Sequence, residues 1–217
     1  MTKISKRLKA IVEFVDKNDS LIDVGCDHGL LSIYLVENKM VKKIIASDIN
    51  PNALSSATRN IKKRNMNIET VLSDGIHDVN LKGINGLVIS GMGTNTILHI
   101  LKDSNKLKHI NKLLIQSNNA HELLRYSLND KGYYLEKESY TFDKGKWYVT
   151  CKFIKSEKKN TSKEIKYGFL DNKEYNAYLV ALEKKIYKNI PWISMRSKLK
   201  ALKRIKMLKK AISETEK

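Results

Sequence analysis

The chain has 217 residues, of which 41% are hydrophobic, and a net charge of +18 from 41 Lys and Arg against 23 Asp and Glu. This length can bury a full core, and no stretch approaches the roughly 20 apolar residues that a membrane span needs, so we expect a soluble globular protein. The positive charge predicts a polyphosphate partner such as nucleic acid, although Lys, Asn and Ile are abundant throughout, which AT-rich coding alone would produce.

The two cysteines, Cys26 and Cys151, offer neither a disulfide framework nor the spacing of a metal site, which is typical of a reducing cytosol. In the first helix, apolar residues recur at spacings of four, three and four, at Ile4, Leu8, Ile11 and Val15. This pattern predicts an amphipathic helix and not a signal peptide. We therefore expect a cytoplasmic protein without membrane or metal partners.

Short apolar runs then alternate with helical patterns. The runs predict five strands, at residues 20–25, 42–48, 68–74, 85–91 and 111–116. Helices are predicted between them, with Pro51 in the first turn of one and Asn50 as its cap. Two alternating runs, residues 133–142 and 146–154, flank a turn and predict an antiparallel hairpin. Five β/α units closed by a hairpin indicate an α/β fold with a doubly wound sheet.

The pattern changes after Lys155. Residues 155–164 predict a charged linker, and two apolar stripes follow, at Tyr175, Leu179, Leu182 and Ile186 and at Leu199, Leu202, Ile205, Leu208 and Ile212. They predict an antiparallel, coiled-coil-like helical hairpin whose seam they form. Residues 155–217 hold 18 basic and 7 acidic residues. We expect two domains, residues 1–155 and a basic helical hairpin at 156–217.

The loop DVGCDHG, at residues 23–29, predicts the cofactor. In open parallel sheets a ligand lies beyond the carboxyl ends of the strands. A dinucleotide pyrophosphate would be repelled by Asp27, and the glycine spacing does not fit G-x-G-x-x-G. S-adenosylmethionine has no phosphate and carries a sulfonium and an ammonium group, so a carboxylate is favourable there. The loop fits the methyltransferase pattern D-x-G-x-G-x-G, with Asp23, Gly25 and Gly29 in place and Asp27 in the middle position.

Two further acids end predicted strands. Asp48 follows the second strand at the distance where an acid can bind ribose hydroxyls, and Asp74, beside Gly75, could accept a hydrogen bond from the adenine amino group. Each could instead cap a helix or form a turn. Three acids at successive strand ends favour the cofactor hypothesis.

The fourth and fifth strands end in ISGMGTN (89–95) and IQSNN (115–119). Glycines in the first segment leave room for a flat ring or for the methionine chain. The amides of Gln116, Asn118 and Asn119 in the second could bond a nucleobase edge, or could be turn formers.

With these motifs the sequence resembles the bacterial tRNA (adenine(22)-N(1))-methyltransferases over nearly its whole length. The shared motifs are SKRL (5–8), DVGCDHG (23–29), DG (74–75), GMG (91–93) and IQSN (115–118). The family also ends in a helical hairpin. The combination of the D-H pair with GMG is specific, because most methyltransferases have neither.

The sequence departs from the family pattern at three places. Ser117 replaces a proline, Thr94 replaces a glycine in GMGG, and residues 29–32 read GLLS where the family has A-Y-L-P. Without the proline, the loop that holds Asn118 is expected to be looser.

The resemblance implies a Rossmann-like methyltransferase domain that transfers a methyl group from S-adenosylmethionine to N1 of adenine 22 in tRNA. Asp27 would stabilise the cationic product ring, with Asn118 and Gln116 orienting the base. His28 could assist or hold a structural bond, and Arg7 would reach the cofactor carboxylate. The residues predicted to bind the cofactor are Arg7, Asp23, Gly25, Cys26, Asp27, His28, Asp48, Ile49, Asp74, Gly75, Ser90, Gly91 and Met92.

The excess of basic residues in the helical hairpin predicts that tRNA docks there, and we expect a monomer. Three alternatives remain open at this point: another RNA or protein N-methyltransferase, an NAD-dependent oxidoreductase, and a non-catalytic RNA-binding protein. Asp27 argues against NAD, and the set of strand-end acids argues against a non-catalytic protein.

Overall fold

The computed structural model describes residues 2–191 and 193–215. Its seven strands are β1 (Asp19–Val24), β2 (Val41–Asp48), β3 (Glu69–Leu72), β4 (Gly86–Met92), β5 (Lys112–Ser117), β6 (Tyr133–Asp143) and β7 (Lys146–Lys155). They form one sheet in the order β3-β2-β1-β4-β5-β7-β6. Strands β1 to β5 are parallel, and β7 runs antiparallel to both β5 and β6. The predicted Rossmann-like fold with its closing hairpin is confirmed.

Helices cover both faces of this sheet. Those of the first part of the chain are α1 (Lys6–Val12), α2 (Leu30–Glu37), α3 (Pro51–Lys63), α4 (Thr94–Ile100), α5 (His121–Asp130) and α6 (Ser162–Tyr167). Apolar side chains of α1, α2 and α3 share one core cluster with strand residues such as Val88 and Leu114, so these helices lie on one face. The predicted cap of α3 is confirmed, because the Asn50 side chain accepts hydrogen bonds from the amides of Asn52 and Ala53.

The strand order places a crevice at the centre of the sheet. From β1 the chain proceeds to β2 and β3 on one side, and it then returns to β4 and β5 on the other side. Loops that follow β1 and β4 therefore diverge from neighbouring strands, which is the position where open α/β sheets bind ligands. The strands beneath are anchored in the core, since Ile22 of β1 and Leu87 of β4 are fully buried.

The chain divides into two compact units, Met1–Lys166 and Tyr167–Lys217. The second contains α7 (Lys173–Asn189) and α8 (Met195–Glu214). Their core is formed by Leu170, Val180, Leu208 and Ala211. Four residues of the predicted seam, Leu182, Ile186, Leu199 and Leu202, are instead more than 40% exposed, because a pair of helices covers each side chain from one side only.

The predicted linker, residues 155–164, is a helix from Ser162 onward. A capping box explains this difference. The Glu164 amide donates to the Thr161 hydroxyl (3.2 Å), and the Glu164 carboxylate accepts from the Thr161 amide (2.7 Å). This T-x-x-E pattern marks a helix start. None of the helices in the described part of the chain is long and apolar enough to cross a membrane.

Candidate active site

A cavity of about 360 Å³ lies where β1, β2 and β4 end. Such a volume is within the range of small-molecule sites, roughly 300–1,000 Å³. It brings together ten of the residues predicted to bind the cofactor: Arg7, Asp23, Gly25, Cys26, Asp27, His28, Asp48, Ser90, Gly91 and Met92. Leu8, Leu30 and Leu31 also line it. These three leucines directly follow Arg7 and Gly29 in the sequence, but their apolar side chains gave no signal of a binding site.

The glycines of the first loop allow the backbone to turn tightly against its neighbours. Gly25 has a φ of +74°, and its amide donates to the Ser47 carbonyl (2.8 Å). A Cβ at this position would lie 2.2 Å from the terminal methyl of Met92. Gly29 has a φ of +69°, and a Cβ at this position would lie 3.1 Å from the Ala57 methyl. Side chains at these positions would enter the cavity or push α3 away.

Asp27 and Asp48 are linked through the backbone. The Asp27 amide donates to Asp48 Oδ2 (2.9 Å), and Asp48 Oδ1 accepts from the Asn50 amide (2.9 Å). Asp48 therefore forms the predicted turn, and each of its oxygens can still accept a second hydrogen bond. The side chain of Asp27 is 72% exposed, with Oδ1 3.7 Å from His28 Nε2. His28 Nδ1 lies 2.9 Å from the Ser56 hydroxyl, which fits the structural alternative for this histidine.

Asp23 is the buried acid of the site, only 3% exposed. Burial raises its pKa to about 6, while the hydrogen bond from the Ser32 hydroxyl (2.8 Å) opposes this rise and the nearby Asp48 adds to it. Burial also raises the pKa of the neighbouring Cys26 thiol. The thiol is thus protonated at neutral pH and is no nucleophile.

Arg7 reaches the cavity from α1 and is held by three groups. Its guanidinium Nη1 donates to Gln116 Oε1 (3.4 Å) and lies over Tyr148, with Cζ 5.9 Å from the ring centroid. Its amide donates to Asp143 Oδ2 (3.2 Å). Gln116 is fully buried and donates through Nε2 to the Arg7 carbonyl (3.0 Å) and the Thr150 hydroxyl (2.8 Å). Both ends of the Gln116 amide are therefore engaged inside the protein.

The loop after β5 is bonded to the loop after β4. A bulge at Gly91 interrupts the β4–β5 register, and the Gly91 carbonyl accepts from Asn118 Nδ2 (2.7 Å). The Asn118 amide donates to the Met92 carbonyl (2.9 Å). Asn118 is exposed, and its Oδ1 accepts no hydrogen bond from the residues that the structure describes. Asn118 is thus bonded to Gly91 and Met92, two residues that line the cavity, and its Oδ1 can still accept a hydrogen bond.

Two of the three departures from the family pattern, Thr94 and Ser117, contact each other. The hydroxyls of Thr94 and Ser117 are 2.8 Å apart and buried, and they lie 2.6 and 2.9 Å from the Asn119 carbonyl. Asn119 Oδ1 also accepts from the Thr94 amide (3.1 Å). The loop that was expected to be looser without a proline is held by these side chains.

Three predicted cofactor residues do not line this cavity. Ile49 follows Asp48 and is 64% exposed. Asp74 lies instead at a separate cavity of about 120 Å³ with His77 and His99. Gly75, with a φ of +61°, packs against Ile100. Within residues 2–191 and 193–215 no three His, Cys, Asp or Glu side chains are grouped as a metal site.

Comparison of the chain with known proteins identifies its family. A family model described as a methyltransferase domain matches residues 4–151. The chain is 31% identical over 149 residues to the tRNA (adenine(22)-N(1))-methyltransferase of Bacillus subtilis (strain 168). That alignment covers 67% of this chain and 63% of the relative, so the chain spans a little under two thirds of this curated protein.

Solved structures extend the similarity to nearly the full chain. Sp1610 of Streptococcus pneumoniae, a candidate tRNA (m1A22) methyltransferase, is 26% identical with a TM-score of 0.88, covering 97% of this chain and 100% of that one. It has also been solved with S-adenosyl-L-methionine. TrmK of M. capricolum, solved with S-adenosyl-homocysteine, is 29% identical with a TM-score of 0.83, covering 97% and 98%. The chain therefore belongs to the methyltransferase domain family, and over nearly its whole length it is similar to solved structures of tRNA (m1A22) methyltransferases.

Proposed function

We propose that this protein transfers the methyl group of S-adenosylmethionine to the ring nitrogen N1 of adenine 22 in tRNA. The observation that carries the proposal is the lining of the crevice, where Asp23, Asp27 and Asp48 surround one cavity. S-adenosylmethionine is cationic near its sulfur and has no phosphate, so these carboxylates complement its charge. The activity named for the Bacillus subtilis relative supports the choice of tRNA and of adenine 22.

The residues of the cavity fit this cofactor. Gly25 and Gly91, both with positive φ, leave the backbone open to a close ligand. Asp48 would accept hydrogen bonds from the ribose hydroxyls, and Arg7 would bind the methionine carboxylate. When bound, S-adenosylmethionine supplies an electrophilic methyl group.

Residues of this chain must then hold the base and stabilise its charge. N1 of neutral adenine has a free lone pair, so no side chain needs to remove a proton. The exposed carboxylate of Asp27 stabilises the positive charge that methylation places on the ring. Asn118, whose Nδ2 is anchored on Gly91, would accept from the adenine amino group through Oδ1 and so orient the base.

Gln116 would act indirectly, as a positioning residue. The hydrogen bonds of its side-chain amide with Arg7 and Thr150 support a role in holding the Arg7 guanidinium toward the cavity. Asp74, Gly75 and Ile49 stay predicted cofactor residues, and the adenine end of the cofactor is where they would contribute.

For tRNA docking we propose the basic helical hairpin within residues 156–217. Lys203, Lys206, Lys209 and Lys210 on α8 are exposed and line one shallow groove. Lysines of this kind position a phosphate backbone without reading bases. We further propose that the protein acts as a monomer in the cytoplasm.

Calorimetry and a transfer assay test the proposal. We expect S-adenosylmethionine to bind without RNA, and its labelled methyl group to be transferred to tRNA. Gly25→Ala should weaken cofactor binding, because its Cβ displaces Met92 into the cavity. Gly83→Ala is the matched control, since Gly83 has a φ of +77° with no atom within 4 Å of the added Cβ. Binding of NAD instead, or labelling of a protein and not of tRNA, would contradict the proposal.

A further inference from the structure

The β6–β7 hairpin extends past the sheet at the edge where the crevice lies. The last pair between β5 and β7 is Ser117 with Val149, so residues 142–148, the hairpin tip, lie beyond the carboxyl end of β5. Lys144 and Gly145 form the turn with φ values of +49° and +78°, as in the tight turns that suit two-residue hairpins. The hairpin tip is thus a short, ordered projection beside the cavity.

One side of the hairpin tip contacts a residue that lines the cavity. Asp143 Oδ2 accepts the Arg7 amide, and the Tyr148 ring lies under the Arg7 guanidinium. Lys146 Nζ is 5.4 Å from the centroid of the same ring. These contacts fix the distance between the hairpin tip and the methyl-transfer site.

The other side presents aromatic rings. Phe142 and Trp147 are opposite each other in the register, with centroids 5.4 Å apart and planes at 56°. Phe142 is 52% exposed. By strand alternation it shares a face with Glu138, which is paired with Arg125 of α5. The aromatic pair therefore lies on the face of the sheet that α5 covers, and the loop containing Asn118 leads directly into this helix.

Charge on the hairpin tip selects the partner. Lys144 and Lys146 are exposed, and the one acid, Asp143, already accepts a hydrogen bond from Arg7. Aromatic rings interleaved with cations bind unpaired nucleotides, because bases stack on the rings and phosphates contact the cations. We propose that the hairpin tip binds the RNA substrate by stacking an unpaired base near the target adenine on Phe142, with Lys144 on the phosphates. This inference rests on the proposed function for the identity of the RNA.

Fluorescence of Trp147 tests the inference independently of catalysis. The chain has two tryptophans, so Trp192→Phe leaves Trp147 as the only tryptophan in a full-length protein whose tryptophan emission is followed during titration with tRNA. We expect quenching on binding. Phe142→Leu, which keeps an apolar side chain but removes the ring, should weaken tRNA affinity roughly fivefold or more. Phe142→Tyr keeps the ring and should restore binding, and none of these changes should alter affinity for S-adenosylmethionine.

Charge is tested by a matched pair. Lys144→Gln should lower the log–log salt slope of tRNA binding by roughly one unit. Lys42→Gln removes an exposed lysine at the opposite end of the strands, where β2 begins, and should leave the slope unchanged.

Several results would overturn the inference: tRNA that binds without changing Trp147 emission, or Phe142→Leu binding tRNA as the parent protein does. Quenching by tRNA that is never methylated would support the hairpin tip while refuting the proposed function. If Phe142→Leu methylates tRNA at a normal rate and binds it as before, the proposed function stands and the role of the hairpin tip is refuted. A parent protein that binds no tRNA would refute both proposals.

Discussion

At the scale of single residues, Asp27 is unusual in its backbone and central to the proposed chemistry. Its φ of +51° lies in the left-handed region, which Asp tolerates better than most residues but glycine prefers. Strained positions of this kind cluster at functional sites. The charge of Asp27 in the sequence predicted a cationic cofactor without phosphate, whereas the exposure of its side chain and the hydrogen bond from its amide to Asp48 required the structure.

Asp27→Asn tests the role of the charge. Asn also tolerates positive φ and should keep the loop intact. We expect turnover to fall on the order of tenfold to a hundredfold, because the variant no longer has a charge that stabilises the transition state. Affinity for S-adenosylmethionine, measured by calorimetry, should change much less. A variant with normal turnover and weaker cofactor binding would make Asp27 a cofactor contact only.

Asp23 should make stability depend on pH. Its pKa is raised from 3.8 to about 6 in the folded protein, so the folded state binds this proton more tightly than the unfolded state does. The stability it contributes is complete below pH about 4 and is lost as pH rises through about 6. We expect the free energy of unfolding of Asp23→Asn, relative to wild type, to rise by up to about 3 kcal/mol from pH 4 to pH 7. Urea unfolding at each pH measures this, and a difference independent of pH would refute it.

At the scale of elements, the contact between Thr94 and Ser117 joins the start of α4 to the end of β5. Neither residue follows the family pattern, yet their hydroxyls meet and share the Asn119 carbonyl. Next along the loop, Ala120 adopts a φ of +47°. The sequence could not predict this contact, because the two positions are distant in sequence and only the strand order brings them together.

A double-mutant cycle tests this contact. Thr94→Val keeps the shape but removes the hydroxyl, and should destabilise the protein by about 1–3 kcal/mol by leaving buried polar atoms unpaired. Ser117→Ala should lower the free energy of unfolding less in the Thr94→Val background than in the wild type, since substitutions within one hydrogen-bond network are not additive. Turnover of the Thr94→Val variant should fall, because the loop that holds Asn118 is no longer fixed, while affinity for the cofactor should stay constant. Thr58→Val, which breaks a hydroxyl pair with Thr70 away from the crevice, should leave turnover unchanged.

Local patterns predicted most elements. The parallel strands, the Asn50 cap and the hairpin follow from alternation, capping and turn residues, and all are present in the structure. Helix α6 was missed because its capping box lies within a run of charges. Gln116 shows the limit at the site: its place at a strand end was predictable, but its full burial depends on β7, which pairs it with Thr150.

At the scale of the whole molecule, charge is uneven along the chain. Residues 155–217 contribute +11 of the net +18. Double replacement Lys203→Gln with Lys206→Gln should weaken tRNA binding and lower its log–log salt slope by roughly one unit for each phosphate that is no longer neutralised. Lys17→Gln with Lys42→Gln removes equal charge, from the loop that precedes β1 and from the start of β2. Binding isotherms at several salt concentrations compare the two double variants. Equal log–log salt slopes would show that the α8 lysines face solvent and do not contact tRNA phosphates.

We propose that this protein methylates N1 of adenine 22 in tRNA at the crevice. The most direct measurement incubates the purified protein with labelled S-adenosylmethionine and two tRNA transcripts, one with adenine at position 22 and one with guanine there, and then maps the modified nucleoside. We expect N1-methyladenosine at position 22 of the first transcript and no label in the second. Equal labelling of both transcripts, or a methyl group on any other atom, would contradict the proposed function.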